Sequence, residues 1–535
     1  MLTADVLIIG AGASGGVAGA ALAEAGFDVL CLEQGDWPEP AAYPAPRPTY
    51  ELEARKQWSG SPNMRQGPGD YPVDDGESDV APLMFSGVGG SMVLYAADWP
   101  RLLPSDFRVR TLDGVADDWP LRYRDLVPYY ERTDRAFGVS GVGGDPAYPD
   151  GEEPPLPPLP IGQIGLRMAR AHDKLGWHWW PANQAVSSVA HSGGRRACVQ
   201  WGTCMQGCPE GAKASTDVTH WPGAVRRGAR LQTGARVSRI LMSEKGLATG
   251  AEFVRRDGTW DIAKADVVIL AANAIGTPRI LLNSSGPRHP HGLGNSSGLL
   301  GKRLMVHPFA NVMGYFEDDM ASWQGHVGAK IACYEFYETD TDRGFVRGAK
   351  WSLAPTGGPL NAALPTRAGN DVWGLEHHEA VRRHLGRTIS WGIFGEDLPD
   401  EANAVEIDST LTDSSGIPAP KIRYQVSENS RKLLDFNIAR AVESLQAAGA
   451  YDVATESLMR YSGWHLLGTA RMGEDPASSI VDGFGRSHDV PNLLIVDGSV
   501  FVTSGGVNPT STISALALRS VEHLIENRRS QQVPA

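Results

Sequence analysis

The sequence predicts a mixed fold class, α/β in separated stretches of the chain and α+β between them. Three observations carry this. Residues 5–33 read as strand, glycine turn, small-residue helix and strand; "ADVVILAANAIGTPRILLNS" repeats the strand–turn–helix order; and residues 306–454 switch to alternating runs such as "RTISWGIF" and "NAVEID". A βαβ unit gives the first pattern, and an antiparallel sheet with one face open to solvent or ligand gives the third.

Taken in order, "DVLII" at residues 5–9 is a fully buried strand, Gly10 to Gly15 a turn, Gly16 to Gly26 a helix of small residues, and "DVLCLE" the second strand. From Trp37 to Val80 the chain becomes Pro-rich and aperiodic, as in "PEPAAYPAPRP", which suits a lid or a binding loop. "YPDGEEPPLPPLPIG" marks a crossover between domains. A helix is expected from about Glu428 to Ala448, with Leu433, Leu434, Phe436, Val442 and Leu445 turned to the sheet. The end returns to α/β order, with "NLLIVD" as a strand and "TSTISALALRSVEHLIEN" as a helix capped by Thr510 or Ser511.

Bulk properties narrow the function. The 535 residues are 42% hydrophobic and carry a formal charge of −13 without a Lys/Arg run, which excludes nucleic acid as a partner. No stretch of about 18 uncharged apolar residues spans a membrane, and "MLTADVLIIG" lacks the positive segment of a signal peptide, so the expected location is the cytoplasm. Five cysteines, an odd number, do not form a disulfide framework, and Cys31 and Cys333 are read as buried thiols.

Gly10, Gly12 and Gly15 form GxGxxG directly after a strand and at the start of a helix, where backbone can approach a pyrophosphate and the helix N-terminus favours its charge. Glu33 ends the next strand, placed to accept ribose hydroxyls. NAD and FAD fit this unit equally. The C-terminal segment "LIVDGSVFVTSGGVNPTSTISALAL" separates them: Asp497 ends a strand, and a helix begins near Pro509 and Thr510. A helix N-terminus suits a ring that becomes anionic on taking up hydride, which a flavin does and a nicotinamide does not.

At these residues the sequence resembles the glucose-methanol-choline (GMC) oxidoreductases, in particular a branch of pyranose oxidases and glycoside 3-oxidases. The resemblance runs along nearly the whole chain through "GAGASGG" with Glu33, "GVGGSMVLYAADWPR", "NAIGTPRILLNSSG", "GKRLMVHP", "DSSGIPAPKIRY", "GWHLLGTARMG" and "DGSVFVTSGGVNPTSTISALAL". It implies a discontinuous Rossmann-type FAD-binding domain (1–160, 205–305 and 455–535, with a lid at 38–80) and an antiparallel six-stranded substrate domain (161–204 and 306–454). It also implies cofactor contacts at Gly10, Gly12, Ala13, Ser14, Gly15, Glu33, Gly89, Gly90, Ser91, Val237, Ala271, Asp497, Gly498, Asn508, Pro509 and Thr510. Asn273 stands where the second signature often has glycine. Leu94 occupies the place where pyranose oxidase relatives often tether the flavin through histidine, so FAD is expected to be held non-covalently.

The resemblance matches the family's catalytic histidine to His465 and its second residue to Asn508. Alcohol oxidation needs removal of the hydroxyl proton and transfer of the carbinol hydride, and imidazole is suited to the first step because its pKa lies near working pH. His465 is therefore read as general base and Asn508 as the group that positions the alcohol oxygen. His307 in "MVHP" is read as structural. The expected substrate is a sugar or glycoside whose secondary hydroxyl, such as the 3-hydroxyl, becomes a ketone, with dioxygen as acceptor and with Trp58 and Arg65 as substrate contacts. Trp177, Trp179 and Trp180 are read as core. The alternatives are a dehydrogenase serving a partner protein or quinone, an aryl-alcohol oxidase, a redox-inert lyase of the same fold, and a flavoprotein that only binds ligand.

"CVQWGTCMQGC" holds Cys198, Cys204 and Cys208. Structural zinc wants four ligands, and His191 and His220 are distant in sequence. The spacing resembles that of membrane-coupled sugar dehydrogenases of the family, where three thiolates hold an iron–sulfur cluster. The preferred reading is a turn entering the FAD domain, with the cluster as the alternative.

Overall fold

The computed structural model describes residues 1–45, 47–149, 151, 153–191, 194–356, 358–363 and 373–532. Strand β1 (Leu2–Ile9), helix α1 (Ala13–Glu24) and strand β2 (Val29–Leu32) form the opening βαβ unit. Strand β1 begins three residues earlier than its apolar run, because Leu2 to Ala4 zip in parallel onto Ala263 to Ala265. Val6 to Ile9 and all of β2 are buried, the mark of a parallel strand covered on both faces.

These two strands sit inside a seven-stranded sheet. Arg230–Gln232 flanks β2, and Trp260–Leu270 flanks β1. The long strand Trp260–Leu270 then forks. Its first half pairs antiparallel with Ala248–Arg255, which leads to Ala235–Met242, and its last three residues pair in parallel with Leu493–Ile495. The two ends of the chain thus meet in one sheet, and α1 packs against the C-terminal helix Thr510–Gln532.

The antiparallel sheet has six strands, in the order Asp452–Glu456, Phe309–Tyr315, Thr388–Gly395, Ala349–Ala354, Ile331–Cys333 and Trp180–Pro181. Period-two alternation divides its faces. Ala310, Val312, Trp351, Leu353, Trp391 and Ile393 pack with Leu433, Leu434, Ala441 and Leu445 of the helix Glu428–Ala447, while Phe436 and Val442 flank that core. Two indoles settle on this helix by hydrogen bonds, Trp351 Nε1 to Asn437 Oδ1 at 2.8 Å and Trp391 Nε1 to Ser444 Oγ at 3.2 Å. Ser427 caps the helix by accepting from the Ser430 N–H at 3.0 Å. The opposite face carries Phe309, Ser352, Ala354, Gly392 and Phe394 into the main cavity.

One expectation is corrected here. "NAVEID" lies outside the six-stranded sheet: Ala404–Thr412 pairs with Pro418–Tyr424, which pairs in parallel with Asp74–Ser78. Alternation reveals a half-buried strand but does not name its partner, and the polar "DDGES" of the third strand carries no apolar pattern.

Candidate active site

A single cavity of about 470 Å³ runs from the glycine turn after β1 to the open face of the antiparallel sheet. At its first end, Gly10 has φ +102, and a Cβ there would lie 2.4 Å from the Ala271 carbonyl oxygen. Gly90 has φ +56, and its Cβ would lie 2.7 Å from Gly12 Cα. The two glycine segments touch backbone to backbone, which only residues without side chains permit. Glu33 braces this junction by accepting from the Ala11 N–H and the Gly35 N–H, both at 2.9 Å, and keeps lone pairs for a diol.

The cavity wall includes Gly10, Gly12, Ala13, Ser14, Glu33, Gly90, Ser91, Val237, Ala271, Asp497, Gly498, Asn508, Pro509 and Thr510. Gly15 and Gly89 stand behind it, Gly15 against the Gly10 backbone and Gly89 against Asp217. Asn273 keeps the turn that glycine often makes: it takes φ +63, and its Oδ1 accepts from the N–H groups of Ile275 and Gly276 at 2.9 and 3.2 Å. Asp497 is fixed by Ser499 and Thr277, and the C-terminal helix starts at Thr510 on the cavity wall. A pyrophosphate cradle, a ribose carboxylate and a second helix N-terminus beside a polar pair fit FAD. Leu94 is fully buried with Val93 and Tyr43 and offers no nucleophile for a tether.

His465 and Asn508 meet at the junction of the cofactor end and the sheet. Asn508 Nδ2 lies 3.3 Å from His465 Nε2, and His465 Nδ1 lies 2.7 Å from His307 Nδ1. The protons on this chain can be assigned from its ends. His307 Nε2 faces the carbonyl oxygens of Gly505 at 2.6 Å and Ser504 at 3.3 Å, which accept only, so it carries the hydrogen. His307 Nδ1 is then a lone pair, His465 Nδ1 donates to it, and His465 Nε2 is left unprotonated on the cavity side. Burial, with His307 and Lys350 nearby, holds the His465 pKa well below the usual histidine range, and burial lowers His307 to about 4. Both imidazoles are neutral near pH 7, the form in which a base accepts a proton.

Lys350 completes the chain. Its Nζ donates to Asn508 Oδ1 at 2.9 Å and to Asp98 Oδ2 at 2.7 Å. The sequence by itself marks His307 as structural and does not single out Lys350 or Asp98. A signal existed for Lys350: in "AKWSLA" a lysine occupies the same face as Ser352 in a strand whose other face is all apolar, so its charge must enter the site.

Phe309, Phe394, Met459, Tyr461 and Trp464 line the far end with Ser352 and Asp98. Trp58 and Arg65 are not among the lining residues. Trp58 stacks behind Phe85, with ring centroids 6.2 Å apart, and Arg65 is held by Asp70 and the Ser59 carbonyl. Trp177 packs edge-on against Trp351 and Phe336, and Trp180 lies in the edge strand. The three sulfurs of the cysteine segment accept backbone N–H groups: Cys198 from Gln200 at 3.4 Å, Cys204 from Val327 at 3.4 Å and Cys208 from Lys213 at 3.5 Å. Among the described residues no group of three or more His, Cys, Asp or Glu is placed to hold a metal ion. Nor is any described helix long and apolar enough to cross a membrane.

Comparison with known proteins agrees with this fold and with FAD as its cofactor. Family models described as GMC oxidoreductase match residues 167–309 and 399–517, and an NAD(P)-binding Rossmann-like domain model matches residues 8–65. A 2-methyl-1,2-propanediol dehydrogenase from Mycolicibacterium austroafricanum is 40% identical over 97% of this chain and 95% of its own. A paromamine 6'-oxidase from Streptomyces fradiae is 32% identical over 97% and 90%. Among solved structures, pyridoxine 4-oxidase from Mesorbium loti superposes with a TM-score of 0.67 at 19% identity, covering 97% of this chain and 98% of that one.

Proposed function

Because the chain belongs to the GMC oxidoreductase family, we propose that it oxidises a hydroxyl of a small polyhydroxylated alcohol, with His465 as general base and Asn508 as the donor that holds the alcohol oxygen. The observation that carries this reading is the single cavity in which an unprotonated His465 Nε2 and the Asn508 amide face the junction between the cofactor cleft and the sheet. Bound FAD supplies the hydride acceptor. The protein's part is to take the hydroxyl proton at His465 Nε2, hold the oxygen at Asn508 Nδ2, and exclude water with the aromatic walls Phe309 and Phe394.

For the substrate, the sugar reading takes a secondary ring hydroxyl to a ketone with dioxygen as acceptor; the paromamine 6'-oxidase relative supports a sugar substrate and an oxidase but acts at the primary 6' position. The diol reading is favoured by the relative at 40% identity, a dehydrogenase. Anaerobic mixing with a panel of sugars, glycosides and vicinal diols, followed by admission of air, separates substrates and then acceptors. In His465→Ala, flavin reduction by the best substrate is expected to fall about 10²- to 10⁴-fold with FAD content unchanged. Reduction at the wild-type rate would remove His465 from the mechanism.

A further inference from the structure

We propose that Lys350, clamped by Asp98, is a positioning residue of this site: it dictates which end of the Asn508 amide faces His465. This rests on the reading of His465 as base.

The two ends of an amide have nearly the same shape but opposite hydrogen-bonding character. Lysine ammonium has donors only, so an Nζ 2.9 Å from Asn508 Oδ1 admits the oxygen there and turns Nδ2 toward His465 Nε2 and the alcohol oxygen. Without that anchor, a flipped amide would present an oxygen lone pair to the base and to the developing alkoxide. The lysine is itself held. Asp98 Oδ2 accepts from Lys350 Nζ at 2.7 Å and Ser352 Oγ at 3.1 Å, and Asp98 Oδ1 accepts from the Ala329 N–H at 3.0 Å and from Gln184 Nε2. With its donors supplied by the protein, the Asp98 carboxylate serves the lysine and not the substrate. Both members are buried, and Asp98 is held below the ordinary carboxylate range by Lys350 despite its burial.

The charge has a second effect. The groups that bear on the His465 titration are His307, on the segment entering Phe309–Tyr315, and Lys350, on Ala349–Ala354; both lower its proton affinity. Lys350 also lies over the Phe394 ring, 5.9 Å from its centroid, and that ring is tilted against His465 at 5.6 Å. One fixed cation therefore lies an amide's length behind the proton-accepting nitrogen.

The test uses the FAD-loaded protein with ¹⁵N-labelled histidine, the His465 signal being assigned from its loss in His465→Ala. Lys350→Gln keeps a donor without the charge. Lys350→Met/Asp98→Asn leaves no buried charge unpaired and so guards against simple misfolding. In Lys350→Gln the pH at which His465 gains a proton is expected to rise by about one unit, a tenfold change in proton affinity. In the double variant kcat with the best substrate of the panel falls at least tenfold with KM within about threefold, the split expected when a transition-state contact is lost. Wild-type His465 titration in Lys350→Gln together with wild-type kcat in the double variant would overturn the assignment. So would losses that merely track FAD content. If His465→Ala itself still reduces flavin, the base reading fails first, and the two failures are told apart.

Discussion

Replacing His307 with leucine tests the proton assignment on the imidazole pair. The substitution fills the site with an apolar side chain but removes the acceptor of the His465 Nδ1–H, 2.7 Å away, and the donor to the Gly505 carbonyl at 2.6 Å. A buried donor left without a partner costs about 1–3 kcal/mol. If that cost is carried into the transition state, where His465 becomes charged and needs the contact most, the rate falls about 5- to 150-fold. The assay is stopped-flow flavin reduction under nitrogen, from pH 5 to 9, with FAD content measured by absorbance. His307→Gln should recover part of the loss, since its Oε1 can accept from His465 and its Nε2 can donate to Gly505. A His307→Leu variant that reduces flavin within twofold of wild type would refute the tautomer argument.

Asn508→Leu should lower the reduction rate about 10²- to 10³-fold and move the acid limb upward less than Asn508→Asp does, because leucine only removes the N–H that favours the unprotonated imidazole whereas a carboxylate also attracts its proton; the two pH profiles are the check. Gly90→Val should abolish FAD retention, read from the absorbance of the purified protein, because its Cβ would press on Gly12 Cα at φ +56. Arg347→Met should destabilise the fold by about 3–5 kcal/mol in urea unfolding, since it leaves Asp106 and Glu396 buried without their cation. Cys198→Ser should leave iron content and the absorbance beyond the flavin bands unchanged, because the sulfur accepts only a turn N–H.

What could be read in the sequence is what local pattern dictates. The apolar run Val6–Ile9 next to glycine fixes a buried strand and turn, and the alternation of "RTISWGIF" fixes a strand with two unlike faces. Partnership across the chain is not local, which is why the alternation of "NAVEID" does not name its sheet and why nothing in the polar Asp74–Ser78 marks it as a strand. Trp58 and Arg65 show the same limit: Trp58 reaches the cavity only through Phe85, which lines it, and Arg65 is taken up by Asp70. Lys350 differs, because its wrong-face position in a core strand was visible, but its meaning depended on Asn508 arriving from 158 residues away.

One loop explains why the pair is held so closely. The Gly505 carbonyl accepts from His307, the Gly506 N–H donates to Tyr337 Oη at 2.7 Å, and two residues later Asn508 accepts from Lys350. The loop that carries the donor thus also orients the base through His307. Tyr337 in turn donates to Asp106, which is paired with Arg347, and Arg347 pairs with Glu396 at 2.8 Å. The buried ion cluster therefore supports the floor of the loop. Removing Arg347 should accordingly disturb His465 and Asn508 together, lowering flavin reduction in the surviving folded fraction more than a single contact would. If that fraction reduces flavin at the wild-type rate per bound FAD, the cluster holds the fold without holding the site.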